Sequence, residues 1–498
     1  MIGALLLALG LPAQAPKPDP AVLAAELSEH VRVLASDEFE GRATGSPGAV
    51  RAAQYLAAVL EASGAEPAGD PDAGGRRTFL QDARIERTIW RAAPRVALVT
   101  QKGERVEAGW GTDFEIDDAR SFEGRIELIV GSASGARLAA DAAARGVIWE
   151  GGTRSQREAW LSEQGRPQGQ GLDALVLIGG RKPGSPRTQL PSPRMALAGA
   201  GEARAPILVR LRGELGARAA AGEFGALELA LELQQERQEA ANVVARLPAR
   251  GARVLPVAIV ISAHYDHLGR METRTEDAAK GKSEPASAGA PAPDVIRNGA
   301  DDDASGCAAV LELVGALAAR PERARELVVL LATGEEIGLL GTEQYLRAPV
   351  VPLEATACNL NFEMIGRPDA LVGGSGALWL TGFERSNLGA AWSEAGLRIA
   401  RDPRPEQRFF QRSDNYAFAR RGIVAQTLSS YDLHGDYHTV RDEWSTLDYA
   451  HMEQAVRVSL EALTTLIDGT LEPSWLPGGN PAVRASEAAP MRESQPVR

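Results

Sequence analysis

Short, nearly uninterrupted apolar runs separated by helical segments are the feature that most limits how this chain can fold. Val257–Ser262 and Leu327–Ala332 are such runs, and Ala304–Ala319 between them carries apolar residues at helical spacing. Strands of a parallel sheet are buried on both faces, so their hydrophobicity is continuous rather than alternating. The pattern continues with predicted strands Thr356–Phe362 and Ile423–Leu428 and a predicted helix Gly338–Leu346. We therefore expect an α/β fold with a mixed, mostly parallel central sheet flanked by helices.

The middle of the chain has a different character, because short β-type segments there are joined by Gly- and Pro-rich connections. Leucines alternate with other residues over Leu227–Leu233, as in a strand with one buried face. We interpret residues 115–238 as an inserted β-rich domain, since insertions are tolerated at surface loops. The α/β domain would then consist of residues 21–114, including a predicted strand Arg95–Thr100, and residues 239–468.

The two ends of the chain are predicted to lie outside the folded domains. Residues 1–15 form a short apolar stretch ending in Ala-Gln-Ala, which is typical of a secretory signal peptide and predicts export. A misassigned start or a buried first helix are the alternatives. Residues 472–498 are rich in Pro, Ser and Glu, and we expect them to be disordered.

Composition excludes some classes of partner. The net charge of −12 argues against nucleic acid or an anionic membrane as a partner. No segment after the first approaches the ~20 apolar residues that a membrane span needs. Cys307 and Cys358 are the two cysteines, and both lie among apolar neighbours. We expect buried free thiols rather than a disulfide bridge.

The chain has 6 histidines, and four of them lie in two short segments that also contain acids. One segment is His264-Tyr265-Asp266-His267 and the other includes His434 and His438. Acids also follow or precede the predicted elements between these segments. Because ligands of open α/β sheets bind beyond the carboxyl ends of the strands, we expect these side chains to meet at one edge. The candidate ligands are His264, Asp302, Glu363, His438 and one of Glu335 and Glu336; the set that includes Glu336 is called below the five predicted ligands.

Imidazole and carboxylate together suit a hydrolytic zinc site that keeps a position open for water. Two imidazoles and four acids exceed the needs of one tetrahedral ion, so we favour a site with two metals and a bridging carboxylate. The adjacent Glu335 and Glu336 then offer one metal ligand and one general base. Asp266 is placed to accept the far ring N–H of His264 and fix its tautomer. Cobalt or manganese are alternatives to zinc in such a site.

These segments together resemble peptidase family M28, which includes bacterial aminopeptidases. The resemblance covers roughly residues 30–113 and 240–468. It is carried by His-Tyr-Asp-His from residue 264, Gly-Ala-Asp-Asp-Asp-Ala-Ser-Gly from residue 299, Gly-Glu-Glu-Ile-Gly-Leu-Leu-Gly from residue 334, Met-Ile-Gly after Glu363 and Tyr437-His438-Thr439. The early segments Asp37–Arg42 and Gly45–Gly48 are also similar to the family's N-terminal region.

The resemblance implies a role for each matched residue. His264 and Glu363 would hold one zinc ion, and Glu336 and His438 would hold the other. Asp302 would bridge the two ions, Glu335 would be the general base, and Tyr437 would help to stabilise an oxyanion. The reaction implied is the removal of N-terminal residues from peptides, and the inserted segment resembles a protease-associated domain.

The chain also departs from the family pattern. Glu363 stands where many members have Asp, and Asn415 where a His is commoner. We expect His267 and His434 to be spare or supporting residues, since the ligand set is complete without them. The remaining minor assignments are structural roles for His30 and His451, helix capping by Asp301 or Asp303, and a supporting role for Asp442. Alternative functions are carboxypeptidase action, cyclisation of N-terminal glutamine, and non-catalytic binding.

Overall fold

The computed structural model describes residues 20–118, 122–132, 146–150, 156, 159, 172–178, 194–198, 207–271 and 293–483. The predicted signal peptide and residues 484–498 of the predicted disordered tail lie outside these residues, so those interpretations stay predictions. The start of that tail is ordered instead, since Trp475 donates to the carbonyl of Gly422 over 2.8 Å. The contacts divide the chain into two compact units. The first combines Met1–Arg84 with Glu239–Arg498, and the second is Ile85–Gln238.

Four parallel strands form the centre of a nine-stranded sheet in the first unit. They are β1 (Ala258–His264), β2 (Leu327–Ala332), β3 (Thr356–Phe362) and β4 (Val424–Ser429), in the spatial order β2-β1-β3-β4. Ile259 pairs with both Leu327 and Cys358, which fixes the register across the middle. All seven residues of β1 are buried, as continuous apolar runs require.

The outer strands make the sheet mixed. Ala241–Leu247 pairs antiparallel with β2 and Leu378–Leu380 pairs antiparallel with β4. The remaining strands of this sheet are Glu66–Pro67, Leu80–Asp82 and Ile399–Arg401, and a separate two-stranded ribbon joins Gly269–Arg270 to Ile296–Arg297. The expected fold class, a mixed and mostly parallel sheet with helices, is confirmed.

The helices of the first unit bury their apolar faces against this sheet. Gly306–Ala318 is the most buried, with Val310, Leu313 and Leu317 inaccessible to solvent. Cys307 and Cys358 are buried free thiols, as expected. The other α-helices are Pro20–Leu34, Pro47–Ala62, Leu340–Arg347, Asn387–Glu394, Asn415–Ala419 and Tyr449–Ile467. Short 3-10 turns lie at Asp37–Arg42, Leu353–Ala355, Ala370–Val372, Pro405–Gln407, Phe409–Gln411 and Trp444–Thr446, and a π-helical turn at Ala300–Ser305.

The second unit is β-rich, but it begins earlier than the sequence predicts. Arg95–Thr100, expected in the α/β domain, pairs with Phe224–Leu231, and Ile85–Trp90 pairs with Leu233–Arg237. The boundary therefore lies at residue 85 rather than 115. The prediction was wrong here because the pairing partners are more than 120 residues apart along the chain, so local pattern does not reveal them. The likeness to a protease-associated domain stays a prediction.

The strands of the second unit form an eight-stranded and a three-stranded sheet. Leu227, Leu229 and Leu231 are buried, as their alternation predicts. The strands not yet named are Arg105–Ala108, Phe114–Asp118, Phe122–Ser132, Gly146–Glu150, Ala174–Ile178, Arg194–Leu197 and Ile207–Leu211, and the helix is Gly213–Ala220. In the part of the chain that the structure describes, no helix of either unit is long and apolar enough to cross a bilayer.

Candidate metal centre

The central strands deliver acids and imidazoles to their carboxyl ends. His264 is the last residue of β1 and pairs with Ala332, the last residue of β2. Glu336 follows β2 after a short turn, and Glu363 directly follows β3. Asp302 lies in the π-helical turn before the helix Gly306–Ala318. These positions follow from where the apolar runs stop, since a buried strand ends where polar residues begin.

Asp302 stands between two imidazoles. Its Oδ1 lies 3.3 Å from Nε2 of His264, and its Oδ2 lies 3.1 Å from Nε2 of His438. The carboxylate is almost fully buried. Glu336 approaches the same imidazole, with 3.5 Å between Oε2 and Nε2 of His438. Each oxygen of one carboxylate therefore faces a different imidazole, which is the arrangement that a bridging ligand needs.

His267, expected as a spare residue, lies within the cluster. Its Nδ1 is 2.7 Å from Oε1 of Glu336 and 3.8 Å from Oδ2 of Asp302. One ligand atom from each of His267, Asp302, Glu336 and His438 lies within 4.8 Å of the others. Sequence reasoning missed this residue because the five predicted ligands already completed a set. The available signal was the rarity of histidine in the chain and the three-residue separation from His264.

The cluster leaves buried polar atoms that a cation would satisfy. Among the described residues, no hydrogen-bond partner with suitable geometry is found for Nε2 of His264, either ring nitrogen of His267, Oε1 of Glu336, Oε2 of Glu363 or Nε2 of His438. Unsatisfied buried polar groups cost free energy and are rare in native proteins. A divalent metal takes such nitrogen and oxygen ligands, so the residues present fit a metal centre.

The electrostatics of the cluster are those of crowded, buried charges. Burial alone would raise the pKa of Asp302, but the close imidazoles of His264 and His438 hold it well below its usual range. Burial lowers the pKa of His438, yet contacts with Asp302 and Glu336 raise it to about 9. Burial, with Asp302 and Asp414 nearby, raises the pKa of Glu363 to about 7. The site therefore retains protons in the absence of a metal.

Glu335 differs from Glu336 in its surroundings. Burial, reinforced by the neighbouring carboxylates of Glu363 and Asp414, raises its pKa well above the usual range. Its backbone N–H donates to Oδ1 of Asp266 over 3.1 Å. It lines the cavity beside Asp302, Glu336 and Glu363 but is outside the four-residue cluster. A carboxyl group with raised proton affinity at this position suits proton transfer.

Asp266 supports the site differently from the sequence-based expectation. Nδ1 of His264 lies 3.1 Å from the backbone carbonyl of Asp266, whereas the nearest carboxylate contact is 3.9 Å. The carboxylate instead accepts from Glu335 and from the hydroxyl of Thr44 over 2.7 Å. The tautomer of His264 is thus set by a backbone carbonyl, which leaves Nε2 directed at Asp302.

The acids around Asp302 hold the π-helical turn in place. Asp442 accepts from the backbone N–H groups of both Asp301 and Asp302 at 3.0–3.1 Å. Asp303 accepts from Gly306, at the start of the following helix, over 3.0 Å, which is the expected capping role. His434 contacts Asp301, with 3.0 Å between Nε2 and Oδ2. These residues position the ligands without joining them.

The remaining histidines and Asn415 are structural. His451 accepts from the backbone N–H of Gly376 over 2.8 Å, and His30 hydrogen-bonds to the hydroxyl of Tyr55 over 2.7 Å. Asn415 donates to the carbonyl of Phe410 over 3.2 Å and accepts from Thr427 over 2.9 Å. The Asn found in place of a His therefore serves packing rather than the ligand set.

A cavity of about 50 Å³, partly open to solvent, adjoins the cluster. One side is acidic, and the other is formed by Met364, Trp379, Phe409, Tyr431 and Tyr437. The ring of Tyr437 stacks on that of His438 with 3.7 Å between centroids. Arg412 is the single basic residue among the described residues that line the cavity, and its guanidinium lies 5.1 Å from the ring centroid of Phe409.

Comparisons with known proteins give one family match and several similar folds. Residues 242–463 match the model of peptidase family M28. An aminopeptidase from Aneurinibacillus sp. strain AM-1 has a similar fold, with 17% identity, a TM-score of 0.51, and coverage of 89% of this chain and 93% of that chain. A search of curated proteins found no match.

Two further solved structures are similar at lower scores. BSAP, a zinc aminopeptidase from Bacillus subtilis, has 15% identity, a TM-score of 0.46, and coverage of 90% of this chain and 96% of that chain. A glutaminyl cyclase from Porphyromonas gingivalis has 12% identity, a TM-score of 0.41, and coverage of 89% and 98%. The family match covers the region that contains every predicted ligand, so residues 242–463 resemble a metallopeptidase domain of family M28.

Proposed function

We propose that the chain is a zinc-dependent aminopeptidase that removes N-terminal residues from peptides. The observation that carries this proposal is a cavity in the family-matched region that Asp302, Glu336, Glu363 and Glu335 line. The remaining two predicted ligands, His264 and His438, contact Asp302. A cavity with acids on one side suits a substrate whose reacting end carries an ammonium group. Export remains part of the proposal on the strength of residues 1–15 alone.

The ligands divide into two sets around Asp302. His264 and Glu363 would hold one zinc ion, and Glu336 and His438 the other. The contacts of Oδ1 with His264 and of Oδ2 with His438 support Asp302 as the shared ligand. When bound, the metal pair supplies Lewis-acid polarisation of the scissile carbonyl and lowers the pKa of a water molecule.

Glu335 would act as the general base. It takes the proton from the attacking water and later returns it to the leaving amine. Its raised pKa favours the first transfer, and the hydrogen bond from its backbone to Asp266 keeps it beside the ligands. Glu336, whose oxygens contact His267 and His438, is committed to the metal cluster instead.

Tyr437 would donate a hydrogen bond to the developing oxyanion. Burial raises the pKa of its phenol, so the group stays protonated and able to donate at neutral pH. Stacking on His438 holds the ring beside the ligands. The neighbouring Trp379, Phe409 and Tyr431 form an apolar wall that suits a first residue with an apolar side chain.

Hydrolysis of a panel of aminoacyl-anilides tests the proposal. The full chain is assayed beside N-blocked equivalents, with a chelator, and after zinc is restored. We expect cleavage of unblocked substrates alone, loss with the chelator, and recovery with zinc. Glu335→Gln should lower the rate about 10²–10⁴-fold and still bind metal. The exposed Glu394→Gln is the matched control and should retain full activity.

Other outcomes would remove the proposal. Cleavage of N-blocked substrates, or cyclisation of a glutaminyl substrate without hydrolysis, would show a different reaction on this scaffold. Substantial turnover by Glu335→Gln would exclude Glu335 as the base. A protein that binds metal and transforms no member of the panel would favour a binding role.

A further inference from the structure

His267 is held rigidly by the backbone around it. The backbone N–H of His267 donates to the carbonyl of Arg42 over 3.2 Å. His267 also forms an isolated parallel β-bridge with Ala43. The guanidinium of Arg42 is itself buried and donates to four carbonyls, those of Leu34, Tyr265, Asn298 and Gly299, at 2.5–2.8 Å. The segment that carries His267 therefore has little freedom to move.

Gly299 lies against the imidazole ring. A Cβ atom at this position would come within 2.6 Å of Cγ and Cδ2 of His267, and φ is +55°. Only glycine accepts both the positive φ and the close contact without strain. The backbone of the loop that leads to Asp302 thus packs directly on the ring and helps to fix its orientation.

The ring faces ligands rather than apolar packing. Nδ1 lies 2.7 Å from Oε1 of Glu336 and 3.8 Å from Oδ2 of Asp302, and the side chain is fully buried. The ring of His438 lies at 5.6 Å in an edge arrangement. Donor atoms at ~2.0–2.2 Å from one ion are at most ~4.4 Å apart. The distances of Nδ1 from Glu336 and Asp302 both lie within this limit.

We propose that His267 is a ligand, through Nδ1, of the metal ion that Glu336 and His438 hold. This inference rests on the proposed metal assignment and extends it. One half of the centre then offers two imidazoles and two carboxylates, whereas the other offers His264 with Glu363 and Asp302. The first equivalent of a divalent metal enters the half that contains His267, and nitrogen ligands favour zinc or copper over manganese there.

A supporting role is the competing explanation, because an imidazole N–H at 2.7 Å could simply orient Glu336. His267→Asn separates the two. The amide of Asn retains an N–H donor for Glu336 but provides no nitrogen ligand. Outer-shell changes typically cost ~10–100-fold in metal affinity. Loss of a ligand should cost more and should also remove one nitrogen from the ion.

The experiment uses the full-length Glu335→Gln protein, freed of metal, so that no turnover interferes. Zn2+ titration by calorimetry, with metal analysis, gives stoichiometry and affinity. One equivalent of Cu2+ followed by pulsed EPR counts the coordinated imidazoles. We expect two zinc ions per chain and two imidazoles on the first copper. Adding His267→Asn should weaken the first zinc step ~100-fold or more and leave one imidazole.

Companion variants keep the result unambiguous. His264→Asn should retain two imidazoles on copper but lose the second zinc step, and His30→Asn, outside the cluster, should change neither readout. Two imidazoles in His267→Asn, or one in the parent, would overturn the inference, as would failure to bind any metal. Hydrolysis is not measured here. A protein that gives the expected zinc and copper results but cleaves no peptide would contradict only the proposed function.

Discussion

The carboxyl edge of the central sheet is polar, whereas the interior of its strands is apolar. The polar region is called below the edge, and the apolar strand interior is called the body. In the body, residues such as Ile261 and Leu360 are fully buried and apolar, and the backbone groups are paired along the strands. At the edge, His264, Asp302 and His438 crowd together with ring nitrogens that lack hydrogen bonds among the described residues. The body stabilises the fold by itself, whereas the polar atoms of the edge would be satisfied by the proposed metal.

The largest expected effect is on the free energy of unfolding, whose pH dependence should have opposite signs with and without metal. The folded-state pKa of Glu363 is raised to about 7 and that of His438 to about 9. Both groups bind protons more tightly in the folded state, so their stabilisation is complete below the unfolded pKa and is lost as pH rises through the folded pKa. From pH 4.5 to 8, Glu363 alone accounts for about 3 kcal/mol in the metal-free protein.

Zinc should reverse this trend, because protons compete with metal for the same atoms. Calorimetric unfolding between pH 4.5 and 8.5, with chelator or with zinc, measures both curves. Glu363→Gln should flatten the chelated curve, and the exposed Glu354→Gln should leave it unchanged. If the unfolding free energy had the same pH dependence with and without metal, the proposed difference between edge and body would be wrong.

A cavity in the body should destabilise the protein regardless of metal. Leu360 is fully buried in β3, so Leu360→Ala should cost about 2–5 kcal/mol of unfolding free energy. The unfolding free energy of this variant should change with pH as steeply as that of the parent protein, since no titrating group has changed. Denaturant unfolding at two pH values, with activity measured per folded molecule, tests both points. A changed slope would show that body and edge are coupled.

Loss of the phenolic hydroxyl of Tyr437 should affect turnover and not folding. Tyr437→Phe should lower kcat/KM about 100-fold, the usual cost of one oxyanion donor. The metal content should be unchanged, because Tyr437 is not among the ligands. Tyr431→Phe is the matched control, since its ring lies 5.3 Å from that of Tyr437 in the same apolar wall. A similar loss in both variants would indicate a packing effect instead.

The smallest expected effect concerns the one basic residue of the cavity wall. Arg412 is exposed, so its interaction with a substrate carboxylate is worth about 1 kcal/mol or less. Arg412→Ala should therefore lower kcat/KM for dipeptides by up to about fivefold and leave neutral anilides unchanged. Arg412→Lys should restore most of the loss. Equal losses for both substrates would exclude a charge effect.

The sequence predicted the body of the fold more accurately than its edge. Leu327–Ala332 and Thr356–Phe362 are the observed bounds of β2 and β3, because a strand buried on both faces is specified by its own apolar residues. The bounds of β1 and β4 differ from prediction by one or two residues. The start of the second unit at Ile85 was missed because it depends on distant pairing.

In the site, too, only the features that local sequence specifies could be predicted. The order of ligands along the strand ends could be inferred from where the apolar runs stop. The orientation of His267 could not, because it results from Gly299 and Ala43 in two separate segments. The carbonyl contact of His264 with Asp266 depends in the same way on the path of the chain after β1.

The link between Asp442 and Asp302 also has a consequence for biosynthesis. The backbone N–H of Asp302 donates to a carboxylate that lies beyond His438 in the chain. At ~5–20 residues per second, the ribosome needs ~10–35 s to pass from His264 to Asp442. Throughout that interval the nascent chain lacks part of the apolar wall and of the proposed ligand set, so the proposed site is completed only when nearly all of its own domain has been synthesised.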